Sequence, residues 1–183
     1  MKHRIIPAAI FLLSIFIGYH ATLRVIPTIM MKGAYERLSS ANTPINAFSA
    51  SRMITAENQT IVRSSPDLAY SVCLLDLTQN TVEVRGGVWN GYSSLTIFDE
   101  NTDAVFVTSL DNNDTAKRGV IVINFDALPA LPKRATYGEN ILNIKGDKAI
   151  ALIRRYAPNK AAFDAAKIAG KEDVCAPYQS DLP

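Results

Sequence analysis

Apolar residues run from Ile5 to Leu23 with little polar interruption, and His20 and Arg24 are the first ionisable side chains to break or follow the run. In a helix rising about 1.5 Å per residue, such a stretch reaches roughly the hydrocarbon thickness of a bilayer. Pro7 falls in the first turn, where its missing N–H costs nothing. The basic start Met1-Lys2-His3-Arg4 also suits an export signal, but a cleavage site wants small residues at positions minus one and minus three. Cutting after Ala21 puts Tyr19 at minus three, and cutting after Gly18 puts Phe16 there. The pattern predicts a retained span within an anchor of residues 1–26. His20 lies in its last turn, at headgroup depth, and Arg24 snorkels outward on its stem, so the two mark the membrane boundary. Basic residues are nearly balanced across the span. The short basic tail before the apolar run is what favours export of everything that follows.

Beyond the span the pattern changes twice. "PTIMMKGAYERLSS" spaces Ile29, Met30, Gly33, Tyr35 and Leu38 as an amphipathic helix would. "SSANTPINAFSASR" then lacks periodicity and reads as linker, so residues 27–57 form a juxtamembrane helix and linker. From residue 58 to 157 short β-rich runs alternate with turn compositions: "AYSVCLLDL", "TVEVRG", "SSLTIFD", "AVFVTSL", "GVIVINFD", "ENILNI" and "AIALIRRYA". Close spacing without room for crossover helices predicts a mainly β domain, an antiparallel sandwich or barrel. Residues 158–183 read as a closing helix and tail, started by Pro158 or Asn159 and ended by Gly170, with Phe163 and Ile168 as core contacts. A span, a β domain and a closing helix fit the 183 residues available.

Charge narrows the function. The chain carries 19 Lys and Arg against 17 Asp and Glu, and setting aside Lys2, Arg4 and Arg24 leaves 16 basic residues against the same 17 acidic ones. A near-neutral domain lacks the clustered basic footprint of a nucleic-acid groove, so no nucleic-acid partner is expected. The doublets Lys133-Arg134 and Arg154-Arg155 read as solvated surface. Both histidines, His3 and His20, belong to the anchor region. A Ser-His-Asp triad, a Cys-His pair and a His-ligated zinc are therefore excluded from the domain. Gly86, Gly87 and Gly91 do not have the spacing of a dinucleotide loop. Asp99, Asn101 and Asp103 begin like a calcium loop, but Ala104 stands where that loop needs Gly and Leu110 where it needs Glu. That segment reads as a polar hairpin turn. Neither a cofactor nor a metal site is expected.

Carboxylate chemistry is what remains. Asp67, Tyr70 and Asp76 sit at or in one strand, and two carboxylates facing one cleft can cut a sugar bond. The plainer reading has Asp67 in a turn, Asp76 ending the strand, and the Tyr70 hydroxyl on a backbone partner. Trp89 with Asn90 and Tyr92 offers an aromatic platform for a glycan, or a core Trp.

The order of segments also carries a resemblance. A late histidine in a span, "GAYERL", "RSSPDLAYSVCLLDL", "YSSLTIFDENTDAVFVTSLDN", "ALIRRYAP" and "DVCAPY" together resemble the bacterial domain-of-unknown-function family 1254, in its short, single-span form. The resemblance covers nearly the whole chain and implies a partner more than a reaction. Larger relatives join this domain to a second β-rich domain, family 1214, which in the short form is typically a separate protein. The two-domain relatives carry an "R-x-x-x-D-T-x-Y" pattern. Arg63, Asp67 and Tyr70 match it here, with Leu68 in place of Thr. These residues, with Asp76, are the ligand-pocket candidates.

The expected molecule is thus an envelope protein of the bacterial inner membrane. Its periplasmic β domain binds or supports a companion, and a small molecule or glycan is an open further ligand. The alternative is a periplasmic carbohydrate-active or other hydrolytic enzyme. Cys73 and Cys175 are the only cysteines, and outside the cytoplasm such a pair tends to oxidise. A disulfide between them is expected to pin "DVCAPY" onto "AYSVCLLDL". Failing that, Cys73 is a buried small hydrophobe and Cys175 a surface thiol.

Overall fold

The computed structural model describes residues 2–55, 64–111, 118–124 and 140–178. Its first element, α1 (Lys2–Ser40), is a single helix, long and apolar enough to cross a membrane. The sequence reading divided this stretch near residue 26. In the structure, anchor and juxtamembrane helix form one rod, because Pro27 removes a single backbone bond without ending the helix. The turns beyond Pro27 are held from outside. Met31 and Tyr35 are buried against Leu74 and Ile150, with Leu38, Val72 and Phe98 around them.

Among the described residues nine strands follow: β1 (Ser49–Ala50), β2 (Leu68–Asp76), β3 (Val82–Arg85), β4 (Ser93–Phe98), β5 (Ala104–Ser109), β6 (Gly119–Ile123), β7 (Ile141–Asn143), β8 (Lys148–Tyr156) and β9 (Val174–Pro177). They form a five-stranded antiparallel sheet in the order β1-β2-β8-β4-β5 and a four-stranded sheet in the order β7-β6-β3-β9. The mainly β sandwich is as expected, with two departures from antiparallel pairing among the described residues: β6 and β7 run parallel, and Ile45 forms an isolated parallel bridge with Leu74. Parallel neighbours need a connection of about a dozen residues or more, and the stretch between Asn124 and Asn140 is that long.

Period-2 alternation sets the core. Cys73, Leu75, Leu95, Ile97, Ala151 and Ile153 of the larger sheet meet Val82, Val84, Val120, Val122 and Cys175 of the smaller one. On β3 the alternate residues Glu83 and Arg85 point outward and pair at 3.2 Å. The opposite face of the larger sheet carries Leu74 and Ile150, which α1 covers. There the Tyr35 hydroxyl donates to the Leu75 carbonyl at 3.4 Å, and Lys148 Nζ stands 4.9 Å from the Tyr35 ring centre. Thr28 Oγ1 donates to Asn101 Oδ1 at 3.0 Å, bringing α1 against the β4–β5 turn. In that turn one Asp99 carboxylate oxygen accepts from the backbone N–H of Asn101 and of Asp103, at 2.8 and 3.0 Å, as a polar hairpin should.

The closing helix α2 (Lys160–Ala169) starts where the sequence placed it. Asn159 is its N-cap and accepts from Ala162 N at 2.9 Å. Phe163 and Ala166 are buried with Ala157, against Met53, Ala69 and Trp89. Ile168 is the correction: it is 66% exposed, because two residues beyond Ala166 the helix has turned to its other side. Beyond Gly170 the chain tightens into a 3₁₀ turn, Gly170–Glu172, and enters β9.

Candidate functional site

The residues singled out in the sequence do not gather. Asp67 is exposed in the turn before β2; its backbone N–H donates to Ser65 Oγ at 3.4 Å, and its carbonyl accepts from Ala157 N at 2.8 Å. Tyr70 uses its hydroxyl to accept from Ser65 N at 2.8 Å. Asp76 closes the far end of β2, about 30 Å from Asp67 at strand rise. Its carboxylate accepts from the Thr78 hydroxyl and backbone N–H at 2.6 and 3.1 Å. The Thr78 hydroxyl is the main cause holding its pKa below the ordinary carboxylate value; partial burial opposes this, and the Thr78 N–H and Lys148 assist. Asp67 and Asp76 therefore face no common cleft, and each fills the plainer role. Arg63 lies outside the described residues. His20 and Arg24 are exposed on α1, the His20 ring meeting the edges of Phe16 and Tyr19 at 4.4 and 5.4 Å between centres. Trp89 packs beside α2 rather than beside Tyr92, which is 60% exposed.

The sequence reading passed over the most developed polar arrangement. Arg155, expected at the surface, is 1% exposed, because strand alternation turns one member of "Arg154-Arg155" inward. Its guanidinium forms a two-pronged pair with the enclosed carboxylate of Asp173, Nη1 to Oδ2 at 2.9 Å and Nη2 to Oδ1, and Nη2 also reaches the Gly87 carbonyl at 3.3 Å. The Gly87 N–H donates back to Asp173 Oδ1 at 2.8 Å. A side chain at Gly87 would sit 2.7 Å from the Ala169 carbonyl, so only glycine lets the end of α2 approach this closely. The signal available in the sequence was an Arg in an apolar strand and an Asp two residues before a cysteine.

Next to this pair, the two cysteines are joined. The Cys73–Cys175 disulfide spans 6.6 Å between Cα atoms and 102 positions of sequence. It pins the tail strand β9 to β2 as expected, and because β9 hydrogen-bonds to β3 of the facing sheet it ties one sheet to the other. Starting from that tie, the sheet orders stack β9 on β2, β3 on β8, β6 on β4 and β7 on β5. Among the described residues β1 has no strand above it. In that place lies an open groove of about 900 Å³. Ala47, Phe48 and Ala50 line one side, Val174, Cys175 and Ala176 the other, and Ile168 and Gly170 the end. Lys167 and Lys171 stand at its mouth, exposed, and neither makes an ion pair among the described residues. Asp164, also at the mouth, is held by Lys160 at 2.9 Å. The surroundings are thus apolar within and positive at one end. Among the described residues no three His, Cys, Asp or Glu side chains cluster as a metal site would require.

Comparison with known proteins gives the fold a lineage. No curated protein matches the chain. The crystal structure of the VPA0106 protein from Vibrio parahaemolyticus is similar, with a TM-score of 0.62 at 16% identity; the match covers 89% of this chain and 41% of that one. This chain therefore spans less than half the length of that relative. A crystal structure of an uncharacterised protein from Burkholderia cenocepacia matches 69% of this chain and 35% of its own at 11% identity, with a TM-score of 0.44. A family model described as "Protein of unknown function (DUF1254)" matches residues 45–176, more than half of the chain and almost all of the two sheets, and the chain belongs to that family.

Proposed function

We propose that this is a single-span protein of the bacterial inner membrane whose periplasmic sandwich binds a companion protein, one carrying the family 1214 domain. The observation that supports the reading is the build of the solved relative. The fold occupies 41% of the chain from Vibrio parahaemolyticus, so there a similar fold is part of a larger protein. The companion domain of this proposal corresponds to the part of such a larger protein that the fold does not occupy. α1 and the disulfide support the proposed localisation, since a bridge between Cys73 and Cys175 persists in an oxidising compartment. The alternative, a carboxylate hydrolase, draws no support from the placement of Asp67 and Asp76 at opposite ends of β2.

Two measurements test this. A reporter active only outside the cytoplasm, fused after Pro183, is expected to work. Purification from detergent-solubilised membranes is expected to recover a family 1214 protein by mass spectrometry. A silent reporter overturns the localisation. A chain that purifies alone as a monomer in mild detergent overturns the partnership.

A further inference from the structure

The two sheets are unequal. Five strands face four, the unmatched strand is β1, and the groove beside β9 lies above it. The ladder between β3 and β9 shows how that edge is disposed. Tyr178 N donates to the Thr81 carbonyl at 2.7 Å, so Thr81 and Tyr178 are a hydrogen-bonded pair. Going back along the register, Glu83 with Ala176 and Arg85 with Val174 are hydrogen-bonded pairs as well, while Val82 with Pro177 and Val84 with Cys175 are not. Pro177 has no N–H to donate, which agrees with its place. It follows that the Cys175 N–H and C=O and the Pro177 C=O face away from β3, toward the groove, and no strand pairs with them among the described residues.

A free strand edge, an apolar floor and a vacant sheet position together fit one kind of ligand. We propose that the groove is the slot of a missing fifth strand, and that a separate protein fills it with an extended segment hydrogen-bonded to β9. Backbone groups of that segment meet the outward groups of Cys175 and Pro177. Alternate side chains of the segment are small or medium apolar ones, packed on Phe48 and Ala50. The charge at the mouth selects its other end. Lys167 and Lys171 have no ion-pair partner among the described residues, so the segment carries an acidic residue where it leaves the slot past α2. The donor is the companion protein of the proposed function, and to that extent the inference rests on that reading.

Photo-crosslinking in intact cells tests it with the full anchored chain. A benzophenone amino acid replaces Ile168, which is exposed within the groove, and in a control replaces Val107, which is 63% exposed on β5. The expected result is an adduct from Ile168, and not from Val107, to one segment of the family 1214 protein. A synthetic peptide of that segment, added to the solubilised chain, is then expected to slow hydrogen exchange of the Cys175 amide at least tenfold. The same peptide with proline at its central residue should have no effect.

An adduct from Ile168 to another copy, or to another part of the same chain, overturns the donated strand. So does a family 1214 adduct from Val107 alone, which would leave the partnership intact and move its site. No adduct from either position overturns the strand as well. If Ile168 captures a different protein whose peptide passes the exchange test, the slot stands and the companion assignment falls.

Discussion

Removing one member of the Arg155–Asp173 pair leaves the other charge where water does not reach, since the two side chains are 2% and 0% exposed. Arg155→Ala is expected to cost about 3–5 kcal/mol, the usual penalty for an uncompensated buried charge. Arg155→Met combined with Asp173→Asn removes both charges, keeps an acceptor for the Gly87 N–H, and is expected to recover a good part of that loss. Urea unfolding followed through Trp89, the only tryptophan, measures both; equal losses in the two variants would show that charge burial is not the cause. Asp76 supplies a test in pH. Its folded pKa is lowered, so its contribution is present above the ordinary carboxylate value and is lost as pH falls through the folded one. Thr78→Val removes the largest cause, and the Asp76 carboxyl is expected to titrate at higher pH by NMR, with a smaller acid-side fall in stability. An unchanged titration would assign the shift to the Thr78 backbone N–H and Lys148 instead. Some of this was legible in the sequence. Two cysteines allow one pairing, and the turn role of Asp67 follows from the Pro66 before it. Arg155 was not legible, because its partner lies 18 residues on and only the fold brings them together.

α1 shows how an element can be misdivided. The end of the apolar run and the amphipathic spacing after it suggest two pieces, but the turns after Pro27 owe their persistence to the sheet beneath them, which no local pattern reveals. Tyr35 is 6% exposed in that contact. Tyr35→Ala is expected to cost about 3 kcal/mol of docking, as truncating a buried aromatic does, while leaving the sandwich folded. Limited trypsinolysis reads it out. Cleavage at Lys32 and Arg37 should accelerate at least tenfold with the Trp89 unfolding midpoint little changed; cleavage at the original rate would mean that α1 is held by something other than this contact. α2 was legible at its start, where Asn159 caps it, and misleading at its end. Ile168 was assigned to the core on hydrophobicity alone, although helical angle places it opposite Ala166. In retrospect that exposed Ile was the one sequence clue to the groove.

At the scale of the molecule, the disulfide determines whether the two sheets hold together at the groove. β9 is four residues long and among the described residues pairs only with β3, so without the bridge its attachment to the larger sheet rests on core packing around Cys175 and on the Arg155–Asp173 pair just before it. The sandwich class was readable from strand spacing, whereas sheet membership was not, because which strand a four-residue segment joins is settled by contacts across the whole chain. A bridge across 102 positions stabilises by about 4.7 kcal/mol in the chain-entropy model. For a domain of this size that corresponds to a melting shift of roughly 10–20 °C. The expected result is that Cys73→Ala with Cys175→Ala melts lower by this amount, and that the unsubstituted protein in excess dithiothreitol melts at the same reduced temperature. The comparison separates two causes. If reduction lowers the melt but the alanine pair does not, the free thiols are what destabilise. If neither lowers it, the bridge does not hold the sheets together, and the oxidising compartment loses its physical support.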